Sequence, residues 1–209
     1  MTKKGFLKVV VFLALFVGLA AGVSAQITIS GGFALATMSA KFIEDDYTET
    51  EKGKVGAGGN IYFDYLLPIS VPLSLGAEVG YDTAKVGESQ FAIRAAAIPI
   101  LLRAAYHFDL ASKLDLYLVG KIGYAFGFSD DYEGSYSGVG FGFDLGIAYY
   151  FGSHFGIFAE GGFDRYNLSS DVTGTESYFD GKKWQDYDYA YTIKVPFSRF
   201  ATFGVSLKF

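Results

Sequence analysis

The chain has 209 residues, no cysteine and a formal charge of −5, which excludes a disulfide framework, thiol chemistry and an N-terminal lipidated cysteine. Its 21 Phe, 16 Tyr and 27 Gly are too rich in aromatics for a disordered chain and lack the Gly-X-Y period of collagen. An acidic balance also argues against direct nucleic-acid binding.

Lys3, Lys4 and Lys8 precede an apolar run from Val9 to Val23, and Val23-Ser24-Ala25 has the small residues of a cleavage site. Residues 1–25 therefore read as a secretory signal peptide. The rival reading, an uncleaved anchor, has only about 15 apolar residues, which is short for a spanning helix. The mature chain, 26–209, is about 184 residues long and fits one domain. Loss of three lysines and no acid takes its charge from −5 to about −8.

From there on, alternation of period two replaces any helical period. The first alternating segment covers about 27–38, with Ile27, Ile29, Phe33 and Leu35 on one face. The second, 55–67, aligns Ile61, Phe63, Tyr65 and Leu67; the third, 73–84, aligns Leu73, Leu75, Ala77, Val79 and Tyr81. A fourth, 92–108, gathers Ile98, Ile100, Leu102, Ala104, Tyr106 and Phe108, although Pro99 interrupts it and predicts a bulge or local irregularity. The fifth and sixth run over 114–128 and 139–151, the seventh over 155–165 and the eighth over 197–209. Links after the second, fourth and sixth segments are tight, whereas those at 39–54, 85–91, 129–138 and 166–196 are mostly longer and polar. Short turns on one side and long loops on the other are the asymmetry of a transmembrane β-barrel, and each segment has the roughly 9–11 residues that a tilted crossing needs. The fold class expected is all-β: a closed, eight-stranded antiparallel up-and-down barrel.

The last segment places Phe203, Val205, Leu207 and Phe209 on one face and Thr202, Gly204, Ser206 and Lys208 on the other, then stops on its terminal aromatic. This ending, with the eight segments and their loop asymmetry, resembles the small bacterial outer-membrane barrels of the OmpA, OmpX and opacity-protein type across the whole mature chain. The resemblance implies an outer-membrane address and a role for Phe209 in the signal read by the barrel-assembly machinery. It also implies a monomer.

Inward parity selects Asp64, Glu78, Arg103, Lys121, Asp144 and Glu160, interspersed with Gly, Ala, Ser and Tyr. Eight strands leave an interior just wide enough to be filled by side chains, so these charges are expected to pair and plug the lumen. Glu78 is expected to meet Arg103, and Lys121 to meet Asp144 or Glu160. The alternative is a gated ion path or proton relay along the same groups. His107 has inward parity near the base of the fourth strand and His154 lies in a tight turn; neither is at an external rim, so no catalytic residue is assigned. The alternating glycines of 138–143 and those at 56–59 lack the following helix of a phosphate loop and read as space for larger luminal side chains.

Arg165 and Arg199 share parity with the lipid-facing residues and sit about one crossing from the short-turn side. They are expected to form an outer-leaflet rim, either for glycolipid phosphates or as interfacial anchors. The loops are acidic and aromatic: Glu44, Asp45, Asp46, Glu49 and Glu51 in the first, Asp130, Asp131 and Glu133 in the third. The fourth carries Trp184, the loop-contact candidate, and Tyr187-Asp188-Tyr189-Ala190-Tyr191, whose alternation reads as strand continuing above the membrane. A calcium loop has the wrong spacing here, and no metal or cofactor is assigned.

The sequence therefore reads as a non-enzymatic outer-membrane barrel with a plugged polar lumen. Its role is envelope integrity or surface adhesion, with membrane lipid, outer-leaflet glycolipid, the assembly machinery and a host or surface protein or glycan as candidate partners. A small transporter for hydrophobic or small solutes is the second reading. A soluble secreted ligand-binding barrel is the third; it requires the polarity to be reversed, apolar inside and polar outside.

Overall fold

A computed structural model describes residues 26–44, 47–86, 93–129, 135–179, 181 and 183–209. The expected signal peptide, and Asp45, Asp46, Asp130, Asp131 and Glu133 of the loops, lie outside the described residues.

The chain forms strands β1 (Gln26–Glu44), β2 (Tyr47–Lys54), β3 (Gly56–Leu66), β4 (Leu73–Val86), β5 (Ile93–Ala111), β6 (Leu114–Ser129), β7 (Ser135–Tyr150), β8 (Phe155–Phe179) and β9 (Trp184–Lys208). Both β2 and β3 pair with β1, and the register slips by one residue at Val55, from Ala40↔Glu51 to Ala36↔Gly56. They are two parts of one barrel strand, so the ring has eight. Consecutive strands pair antiparallel, and β9 returns to β1. The seam closes through the terminal residue: Ile27 N–H donates to the Phe209 carbonyl at 3.1 Å and Phe209 N–H to the Ile27 carbonyl at 2.8 Å. Closure leaves no unpaired sheet edge facing hydrocarbon.

The alternation is realised as an apolar exterior. Leu75, Val79, Leu102, Ile122, Phe143, Leu145, Ile157, Phe203 and Val205 are exposed around the wall, while Asp64, Glu78, Arg103, Lys121, Asp144 and Glu160 are buried inside. That polarity suits lipid outside, and it is the reverse of a soluble ligand-binding barrel, which is thereby set aside.

Three details depart from simple counting. Residues 166–196, expected as a loop, are mostly strand: β8 and β9 pair without interruption from Asn167↔Pro196 up to Phe179↔Trp184, so the fourth external link is a long paired ribbon. At Pro99 the β4–β5 ladder stops after Val79↔Ile100 and resumes at Asp82↔Ala97 in the same register. The proline, which has no N–H, costs rungs without making a bulge. The third departure is a bulge in β9. Its register shifts opposite Leu35/Ala36 of β1 and opposite Gly161/Asp164 of β8, so Phe200 and Ala201 both turn away from the lumen. N-terminal to that point the odd-numbered residues of β9 point inward.

Candidate functional site

The lumen is built in three levels. At the short-turn end, Ser74 of β4, His107 of β5 and Asp115 of β6 are brought together by the pairing of these three strands. Ser74 Oγ lies 2.9 Å from His107 Nε2, and His107 Nδ1 lies 2.9 Å from Asp115 Oδ2. The His107 ring packs 5.5 Å from that of Tyr117, whose hydroxyl donates to Glu160 Oε1 at 3.0 Å. A cavity of about 50 Å³ opens beside this relay.

The middle level is a closed ion-pair network. Arg103 reaches Glu78 at 2.8 Å, Glu160 at 2.7 Å and Asp64 at 3.3 Å, with its guanidinium 3.8 Å above the Tyr62 ring. Lys121 lies 2.5 Å from Asp144, 3.0 Å from Asp164, 3.3 Å from Glu160 and 3.4 Å from Glu78. Glu78, on β4, is the hub: it meets Arg103, Lys121 and Arg199, and it also accepts a hydrogen bond of 3.0 Å from the Asn60 amide. Lys121 meets both Asp144 and Glu160, the two acids named as its alternatives.

Arg199 corrects the sequence reading. It is not on an outer rim beside Arg165 but 2% exposed in the lumen, bound to Asp82 at 2.8 Å, to Glu78, and to Asp164 at 3.7 Å. The bulge at Phe200 reverses the inward parity of β9, and no residue pattern upstream signals it. Arg165 does face outward, half-buried, with its Nε donating to Asn167 Oδ1 at 2.9 Å. The proposed two-arginine rim therefore does not exist. Parity counting also passed over Asp82 and Asp164, which share the inward register of Glu78 and Glu160 and are buried in the same network.

Glycine makes this packing possible. Each of the four aspartates buried among the described residues directly faces a glycine on the next strand: Asp64↔Gly76, Asp82↔Gly58, Asp144↔Gly162 and Asp164↔Gly142. A Cβ at any of these glycines would collide with the opposing carboxylate and backbone. The glycine-rich stretches read from sequence as luminal space thus include the sites over which the acids lie.

The upper level is apolar. Leu101, Ala97, Ala125, Tyr166, Leu168, Val195 and Phe197 form one buried cluster between the charge network and the external hairpins. Above them the β8–β9 ribbon displays Trp184, 70% exposed, with Tyr178 and Tyr187 also exposed and Tyr189 stacked on Tyr191 at 5.9 Å.

No protein-family model matches the chain, and no curated protein matches it in sequence. Solved structures do match in fold. The outer membrane protein OprG from Pseudomonas aeruginosa superposes with a TM-score of 0.63 at 13% identity, over 88% of this chain and 96% of that one. Neisserial surface protein A gives 0.48 at 16% identity, over 90% and 98%. A major outer membrane protein from Thermus thermophilus gives 0.47 at 12% identity, over 90% and 100%.

Proposed function

We infer, from a chain that is an outer-membrane β-barrel of the small eight-stranded type, that the membrane-embedded part is a closed anchor and the external β8–β9 ribbon is what it displays. The observation that carries this is the middle level of the lumen. Among the described residues three cations and six carboxylates interlock across the bore, with Glu78 bound to every cation, which supports a lumen closed to solutes. Function is then left to the external surface, where exposed Trp and Tyr on a paired ribbon offer contact area at low entropic cost. Such a barrel serves envelope integrity and adhesion to a host or surface protein or glycan.

Catalysis is not part of this reading. Ser74, His107 and Asp115 have the spacing of a hydrolytic relay. However, the adjoining cavity, about 50 Å³, is small for an acyl substrate. Ser74, the second residue of β4, is paired to Leu66 in the last rung of the β3–β4 ladder and to Ala105, and the adjoining Leu73 N–H is already bonded to the Val71 carbonyl, which disfavours an oxyanion site there.

A second reading, entry of apolar solutes, is favoured by one observation: the apolar upper lumen lies beside the wall where the β4–β5 rungs are missing at Pro99. One experiment addresses both. The refolded barrel is placed in planar bilayers to record conductance and in liposomes to follow uptake of an apolar dye. Neither unitary conductance nor accelerated uptake is expected. Steady conductance would overturn the closed lumen, and dye uptake abolished by Pro99→Val would replace the anchor reading with the transport one.

A further inference from the structure

The lipid-facing wall is not equally tall all the way round. The three tight turns and the paired chain ends, Ile27 and Phe209, lie at one end of the barrel, so wall height is counted from there. On β5, β6 and β7 the outward side chains stay apolar or aromatic over 96–110, 114–128 and 139–151. On β8, β9 and β1 they do so only over 155–163, 200–209 and 27–35. The next outward residues on these strands are Arg165 and Asn167, Ser198, and Thr37 and Ser39. The β3–β4 wall lies between the two, turning polar above Val55 and above Thr83, whose hydroxyl donates to the Ala57 carbonyl at 2.8 Å. A strand tilted by about 40° climbs roughly 2.5 Å per residue along the barrel axis. The apolar wall is therefore about 30 to 35 Å tall on β5–β7 and about 20 Å tall on β8, β9 and β1, where such barrels present about 25 Å to lipid. Closure of the ring joins the short stretches into one low wall, because β9 pairs with both β8 and β1. Ser198 stands directly opposite Arg165 on one side and Thr37 on the other.

We propose that the low wall of β8, β9 and β1 holds the bilayer locally thinned, so that this face of the barrel is a surface for short or disordered acyl chains. Lipid is the occupant because the low wall is continuous with the rest of the lipid-facing surface. Three features give it this character. Thr37, Ser39 and Ser198 are short polar side chains, which cannot snorkel to the headgroups as a long cation does, so water and headgroups must descend to them. They stand in register across the seam, so the polar edge is a line and not a scatter of single residues. At the same distance from the short-turn end, the tall wall presents Ile100 on β5, Tyr124 on β6 and Phe141 on β7, which require hydrocarbon. Tilting a rigid barrel moves both edges of its apolar belt together, and it cannot equalise a wall that is tall on one side and low on the other. The lipid must therefore adapt.

The test uses the full barrel reconstituted in phosphatidylcholine bilayers. Because the chain has no cysteine, each single-cysteine variant takes one nitroxide label. Thr37→Cys on β1 and Tyr124→Cys on β6 stand on opposite sides of the ring, equally far along their strands from the short-turn end. The label at 37 is expected to be relaxed by a water-soluble nickel chelate, and the label at 124 by oxygen dissolved in the hydrocarbon. Equal depth at the two positions would overturn the proposal. A second measurement raises the low wall. The triple variant Thr37→Leu, Ser39→Leu, Ser198→Leu is expected to gain about threefold in the ratio of folding yields in long-chain over short-chain lipid, read as the heat-dependent mobility shift of a folded barrel. Ser135→Leu with Ser137→Leu, which adds apolar surface above the tall β7 wall, is expected to leave that ratio unchanged. An equal gain in both variants would show that added hydrophobicity and not local height is read, and no gain in either would show that the bilayer is not thinned; each result overturns the proposal. For a triple variant that folds in no lipid, the nitroxide pair decides alone.

Discussion

Arg199 carries the sharpest lesson at the level of single residues. Its side chain is surrounded by Asp82, Glu78 and Asp164, and its guanidinium lies 5.8 Å from the Tyr166 ring centroid. Truncating one member of a buried ion pair strands its partners' charge, at a cost of about 3–5 kcal/mol. Arg199→Ala is therefore expected to lower the urea midpoint of the refolded barrel as strongly as Arg103→Ala. Arg165→Ala, which removes a single exposed hydrogen bond to Asn167, is expected to change stability by no more than about 0.5 kcal/mol. Equal effects of Arg165→Ala and Arg199→Ala in equilibrium unfolding would contradict the luminal placement. The sites with inward parity on regular strands, Asp64, Glu78, Arg103, Lys121, Asp144 and Glu160, were legible because each lies in a stretch where alternation is unbroken. Arg199 was not, since a bulge is a property of two paired strands and leaves no mark on the one that carries it.

Among the elements, β7 and β8 show how sequence pattern becomes packing. The glycines of 138–143 alternate with outward Val139, Phe141 and Phe143, so the strand is bulky toward lipid and nearly bare toward the lumen. Gly142 is bare because Asp164 lies over it. Gly142→Ala is expected to displace that carboxylate from Lys121 and to cost about 1–3 kcal/mol, the range of overpacking in a filled interior. Gly120→Ala, where an added Cβ would meet nothing within 4 Å, is the matched control and is expected to leave the urea midpoint unchanged. Equal midpoints for the two variants would remove the case for glycine as a seat for the acids. The long β8–β9 ribbon was half legible. The alternation of Tyr187, Tyr189 and Tyr191 marked the strand, but its span was hidden because polar residues on both faces give 166–196 little amphipathic contrast.

For the whole molecule, closure is the source of stability in a protein without disulfides. The ring is completed by two backbone hydrogen bonds between Ile27 and Phe209, in addition to the β1–β9 ladder. Removing Phe209 deletes those two bonds and no luminal contact. In refolding from urea into detergent, the variant is expected to reach the compact, heat-modifiable form with little loss. In cells it is expected to accumulate unassembled, if the terminal aromatic is read by the assembly machinery as the family resemblance implies. Equal assembly of variant and wild type in cells would leave Phe209 with a role in the seam alone.

The period-two alternation and the spacing of tight turns by themselves determined the all-β barrel and its eight strands. Each of these depends on which face a side chain takes relative to its neighbours in the chain. Tertiary structure decided what depends on strands far apart in sequence: the inward turn of Arg199, the role of Glu78 as the hub of three cations, the Ser74–His107–Asp115 relay and the gathering of β8, β9 and β1 into one low wall. Such groupings arise from register, and register is set only when the sheet closes on itself and each strand must fit two partners at once.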